Sequence, residues 1–246
     1  MILINKKRIK IILGCILISL LAFSFQIADY KQAKEQKNEL KNTVQTTSTP
    51  VSGKTVVLDA GHGIPDEGAQ SSSGTTEAET NLKVTLKVQN LLEQSGCNVI
   101  LTRSDENAIY DLDAKTLKEK KISDIHNRVK IGNESSADIF VSIHLNKIPQ
   151  QQYWGWQCFY KNGNEQSTKL AKSLQSNLND AIQKDNKRVA MKIDNIYIIK
   201  KVEIPISIVE CGFLSNPTEE KKLLEDDYQN RLAWGIYNGI IDYFYD

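Results

Sequence analysis

Short runs of β-branched and aliphatic residues alternate along the chain with longer segments whose apolar residues recur at helical spacing. The short runs predict strands, and they lie at Thr55–Asp59, Asn98–Thr102, Asp138–His144, Asn195–Ile199 and Ile204–Glu210. Strands that alternate with helices favour an α/β fold with a mostly parallel central sheet flanked by helices. We therefore expect a single folded domain over residues 54–246.

The helical segments differ in how clearly the sequence marks them. From Leu170 to Ile182 an aliphatic residue recurs at every fourth position of Glu165–Lys184, which predicts a helix packed against the sheet. Glu77–Ser95 alternates as a strand would, but its length and the capping-box pattern that starts at Thr76 favour a helix. Two closing helices are predicted at Pro217–Glu225 and Tyr228–Tyr245.

The chain begins with two segments of contrasting composition. Lysines and an arginine between Lys6 and Lys10 precede an uncharged apolar run over Ile11–Ile27, which is typical of an export signal with its positive end inside. No clear cleavage site follows, so residues 1–29 are predicted as a signal or, in preference, an uncleaved membrane anchor. Residues 30–53 are polar and are predicted as a flexible tether.

Charge and cysteine usage exclude some functions. Lys and Arg number 31 and Asp and Glu 30, so the chain lacks the basic surplus that nucleic-acid binding exploits, and nucleic acid is not an expected partner. The cysteines form no CxxC pair, so neither a thiolate zinc site nor a disulfide framework is indicated. They are expected to be free, mostly buried thiols, and are Cys15, Cys97, Cys158 and Cys211.

Two of the three histidines occupy equivalent places in the predicted sheet. His62 follows the strand Thr55–Asp59, and His144 ends the strand Asp138–His144. A lone histidine is more often structural or solvated than a ligand. Because the carboxyl ends of parallel strands form the usual ligand crevice, these two imidazoles are well placed to share a metal ion.

A catalytic zinc site commonly has two histidines, one carboxylate and an open fourth position. Glu77 is the best candidate for the carboxylate, because it stands at the first position of a predicted helix and is free to reach outward. Alone, it would be explained by the helix dipole, which favours acids at this end. Rival acids in the preceding loop are Asp59, Asp66 and Glu67. Asp59 is expected to support a metal ligand or the turn and not to bind the metal itself.

Glu210 ends a strongly apolar predicted strand at the same sheet edge. A carboxylate there suits a general base that deprotonates water and later protonates a leaving amine. It could equally be satisfied by backbone N–H groups of the turn at Gly212.

Other residues are less strongly indicated. Arg128 and Asn146 are candidate substrate-binding residues, although arginine on such a helix is more often a surface charge. His126 is expected to be a solvated helix residue. An aromatic cluster could be a core strand or a sugar-stacking platform, with the core preferred, and comprises Tyr153, Trp154 and Trp156.

Four segments, in this order, resemble the zinc-dependent N-acetylmuramoyl-L-alanine amidases of the type often labelled amidase 3: Val56–Gly63, Glu77–Leu82, Phe140–Asn146 and Ile208–Pro217. The resemblance covers the chain from about Lys54 to Tyr245. It implies an α/β fold, Zn²⁺ bound by the set His62, Glu77 and His144, and Glu210 as the catalytic acid/base. The chain departs from the usual pattern at Ala60 and Ile64, which leaves substrate preference open.

The resemblance also implies the reaction and its setting. The expected substrate is peptidoglycan, cut by zinc-activated water at the amide between the N-acetylmuramic acid lactyl group and L-alanine. The export segment and the stretch Ser104–Asp124 are most similar to spore-cortex amidases, which help to form muramic lactam. The protein would then be anchored or secreted, face the cell wall or the forespore–cortex space, and could need an accessory protein. Alternatives are a zinc peptidase acting within the stem peptide and a non-catalytic wall-binding regulatory module.

Overall fold

A computed structural model of the protein describes Lys31, residues 49–183 and residues 185–245. The predicted signal or anchor falls outside these residues, and so does most of the predicted tether. No helix within the described residues is long and apolar enough to cross a membrane. The folded domain includes residues that we expected to belong to the tether, because Val51 is buried and the Gly53 N–H donates to the Gly96 carbonyl at 2.9 Å.

The described part of the chain forms six strands and six helices. The strands are β1 (Thr55–Ala60), β2 (Asn98–Leu101), β3 (Ile139–Asn146), β4 (Gln157–Lys161), β5 (Met191–Ile193) and β6 (Ile206–Phe213). The helices are α1 (Glu77–Gln94), α2 (Leu117–Glu134), α3 (Glu165–Ile182), α4 (Tyr197–Lys201), α5 (Pro217–Leu223) and α6 (Asp226–Tyr245).

The strands form one mixed sheet in the order β2-β1-β3-β6-β4-β5. Every pairing is parallel except β4 with β6, which is antiparallel. A parallel connection requires a crossover, usually a helix, but no described helix lies between β3 and β4. The chain therefore reverses, and β4 runs antiparallel to β6. The predicted α/β fold with flanking helices is confirmed, and the sheet is mixed through this one pairing.

One predicted strand is wrong. Asn195–Ile199 was expected to be extended, but Tyr197–Lys201 forms the short helix α4. Ile198 and Ile199 are both buried there, and a short apolar run that is buried carries no periodicity that separates helix from strand. The neighbouring strands β4 and β5 were not predicted.

Each face of the sheet is covered by its own layer of helices. Successive side chains of a strand point to opposite faces, so Val56 and Leu58 pack with α1, α3 and α6, whereas Val57 packs with α2 and α4. The aliphatic stripe predicted on α3 is buried from Leu170 to Ile182. Between these layers, the carboxyl ends of β1, β3 and β6 open at one edge of the sheet.

Candidate metal centre and active site

The three predicted ligands converge at this edge. His62 lies in the loop after β1, Glu77 is the first residue of α1, and His144 lies near the end of β3. Glu77 Oε1 is 2.9 Å from His144 Nδ1, and its Oε2 is 3.4 Å from His62 Nε2. One ligand atom from each of the three residues lies within 4.8 Å of the others. The geometry is that of a group able to hold one metal ion.

Local backbone structure places the Glu77 carboxylate. Thr76 caps α1 and accepts from the Glu79 N–H at 3.5 Å, as the sequence pattern predicted. The two carboxylate oxygens accept from the backbone N–H groups of Ala69 at 2.9 Å and Leu145 at 3.1 Å. Glu77 is therefore held by the loop before its own helix and by the strand that carries His144.

The neighbouring groups shift the pKa values of Glu77 and His62. Burial opposes ionisation of Glu77, but hydrogen bonds and charges from His144 and His62 outweigh it and hold the pKa of the carboxyl well below its usual range. Burial favours neutral His62, but Asp66 and Glu77 outweigh it and raise the pKa of His62 to about 9. A metal cation and the proton on His62 therefore compete for the Glu77 carboxylate.

Glu210 stands beside the three residues. It is the register partner of His144 across the β3–β6 ladder. Burial raises its pKa to about 7, partly opposed by the positive charge of His144. Its Oε2 atom is buried and has no hydrogen-bond partner among the described residues, which is rare for a carboxylate oxygen. This oxygen is available to a water molecule or a substrate.

The donor set fits zinc. Two imidazole nitrogens and one carboxylate oxygen are a common catalytic zinc set, which keeps a position open for water. The buried Glu210 oxygen that lacks a hydrogen-bond partner lies beside these residues, where a catalytic zinc site requires a general base. His62, Glu77 and His144 therefore form a possible metal site whose chemistry suits Zn²⁺.

Arg128 is buried, with its N–H groups directed into the protein. Its side chain donates to the carboxylates of Asp59 and Asp124 and to the carbonyls of Ala60 and His62, at distances between 2.6 and 3.1 Å. A guanidinium has five N–H donors, and these bonds use all of them. These bonds support the loop that carries His62; Arg128 also lines the cavity beside the site, and its contact with a substrate stays a prediction.

The sequence did not single out Arg103, which is 4% exposed. Its guanidinium donates to the carbonyls of Ala60, Gly61 and Ala78, beside the predicted ligands. The available signal was its position just after the parallel strand β2, at the same sheet edge as His62.

The remaining candidates lie around the centre. Asp59 is buried beneath the loop that carries His62, and Asp66 Oδ2 lies 3.5 Å from His62 Nδ1, whereas Glu67 is exposed. Asn146 is half-buried at the end of β3, and its carbonyl accepts from the Leu214 N–H at 2.8 Å.

The aromatic cluster divides between core and surface. Trp156 is fully buried and its Nε1 donates to Asn179, so the preferred core location holds for this residue. Tyr153 is exposed. Cys97, Cys158 and Cys211 are free and buried, as predicted.

A cavity of about 500 Å³ adjoins the centre. His62, His144 and Glu210 form one side, and the other is an apolar wall from α2 and the α4 region that includes Ile122 and Ile196. His126 is exposed as predicted, but it also borders this cavity, with its ring centroid 5.0 Å from that of Tyr197. The site therefore has room for part of a substrate beside His62, His144 and Glu210.

Comparisons with known proteins agree with this geometry. The germination-specific N-acetylmuramoyl-L-alanine amidase of Bacillus subtilis (strain 168) is 38% identical over 197 residues, which is 80% of this chain and 82% of that protein. The solved structure of the CwlD amidase from Clostridioides difficile in complex with the GerS lipoprotein matches with a TM-score of 0.75 and 43% identity, over 77% of this chain and 98% of that one. The catalytic domain of CwlV, an N-acetylmuramoyl-L-alanine amidase from Bacillus (Paenibacillus) polymyxa var. colistinus, matches with a TM-score of 0.67 and 32% identity, over 77% and 97%.

A family model supports the same assignment over most of the domain. The model Amidase_3, described as N-acetylmuramoyl-L-alanine amidase, matches residues 56–242. This span includes all three residues of the possible metal site and Glu210. The chain belongs to the Amidase_3 family of N-acetylmuramoyl-L-alanine amidases.

Proposed function

We propose that the protein hydrolyses the amide between the lactyl group of N-acetylmuramic acid and L-alanine in peptidoglycan. The observation that carries the proposal is the convergence of His62, Glu77 and His144 beside a buried, unpartnered oxygen of Glu210. In a chain of this family, that arrangement supports an amidase with Zn²⁺ held by these three residues.

Glu210 is the proposed acid/base. When bound, zinc supplies a Lewis acid that activates water and polarises the scissile carbonyl. A pKa near 7 suits Glu210 to accept a proton from the attacking water and to return it to the leaving amine of L-alanine. The half-buried Asn146, at the end of β3, is proposed to contact the substrate.

The proposed setting is spore-cortex maturation outside the cytoplasmic membrane. It is supported by the likeness to the germination-specific amidase of Bacillus subtilis. We propose that the N-terminal segment directs export and anchors the protein. An accessory protein is also proposed, since the CwlD amidase of Clostridioides difficile was solved in complex with the GerS lipoprotein.

Product identification tests the reaction. Purified peptidoglycan is digested with zinc-loaded protein, with chelated protein and with a Glu210→Gln variant, and the products are analysed by mass spectrometry. The loaded protein should release peptides that begin with L-alanine and leave lactyl carboxylates on the glycan. Glu210→Gln should retain zinc but lose about 10²–10⁴ in kcat, which is the usual contribution of a general acid/base.

The same experiment separates the alternatives. Glu203 is exposed, so Glu203→Gln removes a carboxylate from the chain without touching the site and should leave kcat unchanged. Alanine left on the sugar would identify a stem-peptide peptidase instead. Zinc binding without any turnover would identify a non-catalytic wall-binding module.

A further inference from the structure

Two buried guanidinium groups hold the three successive carbonyls at the turn after β1. Arg103 donates from Nε to the Ala60 carbonyl at 2.8 Å and from Nη2 to the Gly61 carbonyl at 3.1 Å. Arg128 donates from Nη1 to Ala60 at 2.7 Å and from Nη2 to the His62 carbonyl at 2.6 Å. The backbone that presents His62 is thus fixed by four bonds from charged donors.

Arg103 also reaches the helix that carries Glu77. Its Nη2 donates to the carbonyl of Ala78, the next residue along α1, at 2.8 Å. Asn81 reinforces the link, because its Nδ2 lies 3.1 Å from the Gly61 carbonyl and 3.4 Å from Glu77 Oε1. The Arg103 guanidinium therefore joins the loop that carries His62 to the first turn of the helix that carries Glu77.

The third predicted ligand rests on the same loop. A Cβ atom added at Gly61 would lie 2.2 Å from Cε1 of His144, so the imidazole packs directly against this glycine. His62 itself has a φ of 63°, a left-handed conformation that residues with a side chain rarely adopt. A loop in this conformation needs external bonds, and the two arginines supply them.

Arg103 is an unusual residue to bury for packing alone. Among the described residues, its hydrogen-bond partners are all backbone carbonyls, including that of Asp105. Burial, reinforced by the positive charge of Arg128, lowers its pKa to about 10. Burial of a cation is costly unless its bonds are needed. Three of these four bonds go to the loop and helix that carry His62 and Glu77, and the fourth goes to Asp105 in the segment after β2.

We propose that Arg103 is a positioning residue which, together with Arg128, fixes His62, Glu77 and His144 in their ligating arrangement before the metal binds. The inference rests on the metal site of the proposed function. It adds that the site is organised by the loop and helix backbone and that Arg103 acts without touching the substrate, since it does not line the cavity.

Arg103→Lys tests this role, because lysine keeps the charge but cannot bond several carbonyls in the planar geometry of a guanidinium. The zinc dissociation constant is measured by competition with a chromogenic chelator, alongside KM and urea unfolding of the chelated protein. The dissociation constant should rise about 10- to 100-fold, as when groups that orient metal ligands are removed. KM for peptidoglycan fragments should not change.

Arg188→Lys is the matched control. Arg188 is half-buried and also donates to a backbone carbonyl, that of Trp154, but it lies outside the metal site. This variant should keep the parental zinc dissociation constant. Arg103→Gln is the second variant, since it removes the buried charge at position 103 and remains informative if Arg103→Lys fails to fold.

The outcomes separate this inference from the proposed function. A folded Arg103 variant that binds zinc as tightly as the parent but unfolds at lower urea would show a merely structural role and overturn the inference, with the amidase intact. A parent protein that binds no zinc would overturn both.

Discussion

Asp59 is a buried carboxylate beneath the loop that carries His62. Oδ1 accepts from Arg128 at 2.6 Å and from Thr102 at 2.7 Å, and Oδ2 accepts from Ser142 at 2.5 Å. Burial opposes its ionisation, but Arg128 and these bonds outweigh it and hold the pKa of Asp59 below its ordinary value of 3.8. The ionised carboxylate therefore stabilises the folded protein at neutral pH.

Asp59→Asn should lower the free energy of unfolding of the chelated protein at pH 7 by about 3–5 kcal/mol, because it breaks a buried ion pair. Because the pKa of Asp59 is lower in the folded than in the unfolded protein, the ionised carboxylate stabilises the fold at pH values above the unfolded-state pKa. This contribution is lost as the pH falls through the folded-state pKa. The difference from the parent should narrow below a pH of about 4, measured by urea unfolding across pH.

Asp185→Asn provides the control for this measurement. Asp185 pairs with Lys187 at 2.7 Å, but both side chains are highly exposed. Such surface pairs contribute about 0–1 kcal/mol, so the variant should unfold almost as the parent does. If Asp59→Asn lowered the free energy of unfolding as little as Asp185→Asn does, or by the same amount at every pH, the inference that a buried ion pair of Asp59 stabilises the fold would be contradicted.

Gly61→Ala should weaken zinc binding. The added Cβ would stand 2.2 Å from His144 Cε1, so the imidazole must leave its present position. We expect the zinc dissociation constant to rise by at least about tenfold, in the range found when ligand orientation is lost. Chelator competition measures the constant, and an unchanged value would contradict the inference that Gly61 sets the position of a ligating His144.

At the scale of elements, glycine also sets how closely two helices pack. A Cβ added at Gly239 of α6 would lie 2.6 Å from the Cα of Leu174 on α3. Gly239→Ala should therefore lower the free energy of unfolding by about 1–3 kcal/mol, as overpacked cores do. Zinc affinity should not change, because this contact lies outside the metal site. Urea unfolding and chelator competition on the same sample distinguish this packing effect from that of Gly61→Ala.

Elements with strong local signals were predictable from the sequence. The cap at Thr76 located the start of α1, and the stripe from Leu170 located α3. The helix α4 was not predictable, because its buried isoleucines satisfy a strand pattern equally well and tertiary packing decides. The strand β4 was missed because it starts with a polar residue, Gln157. Gln157 is buried, and its side chain donates to the Val189 carbonyl.

At the scale of the whole molecule, a bound metal should stabilise the fold. A ligand that binds only the folded state adds about 2.7 kcal/mol at a free concentration of 100 times its dissociation constant. Zinc should therefore raise the Tm of the parent protein and a chelator should reverse the rise. His144→Ala, which removes one of the three candidate ligands, should show little response in the same thermal melts. An equal rise in both proteins would place the zinc elsewhere.

The candidate site was largely predictable because its residues follow strands in the sequence. His62 follows β1, His144 and Glu210 lie in the carboxyl-terminal halves of β3 and β6, and Glu77 begins a helix at the same sheet edge. The carbonyl partners of Arg103 and Arg128 were not predictable, since an arginine has no spacing that reveals a buried carbonyl partner. Such contacts depend on which loops the fold brings together.

The pairing of His144 with Glu210 across neighbouring strands has a consequence for divergence within the family. The separation of these two side chains is set by a ladder of main-chain hydrogen bonds in the middle of the sheet, which insertions at the surface do not alter. The cavity residues from α2 and the α4 region, such as Ile122 and Ile196, can therefore change in sequence and retune which wall fragment is accepted. Exchange of those cavity residues between relatives should change substrate selectivity while leaving His144 and Glu210 in register.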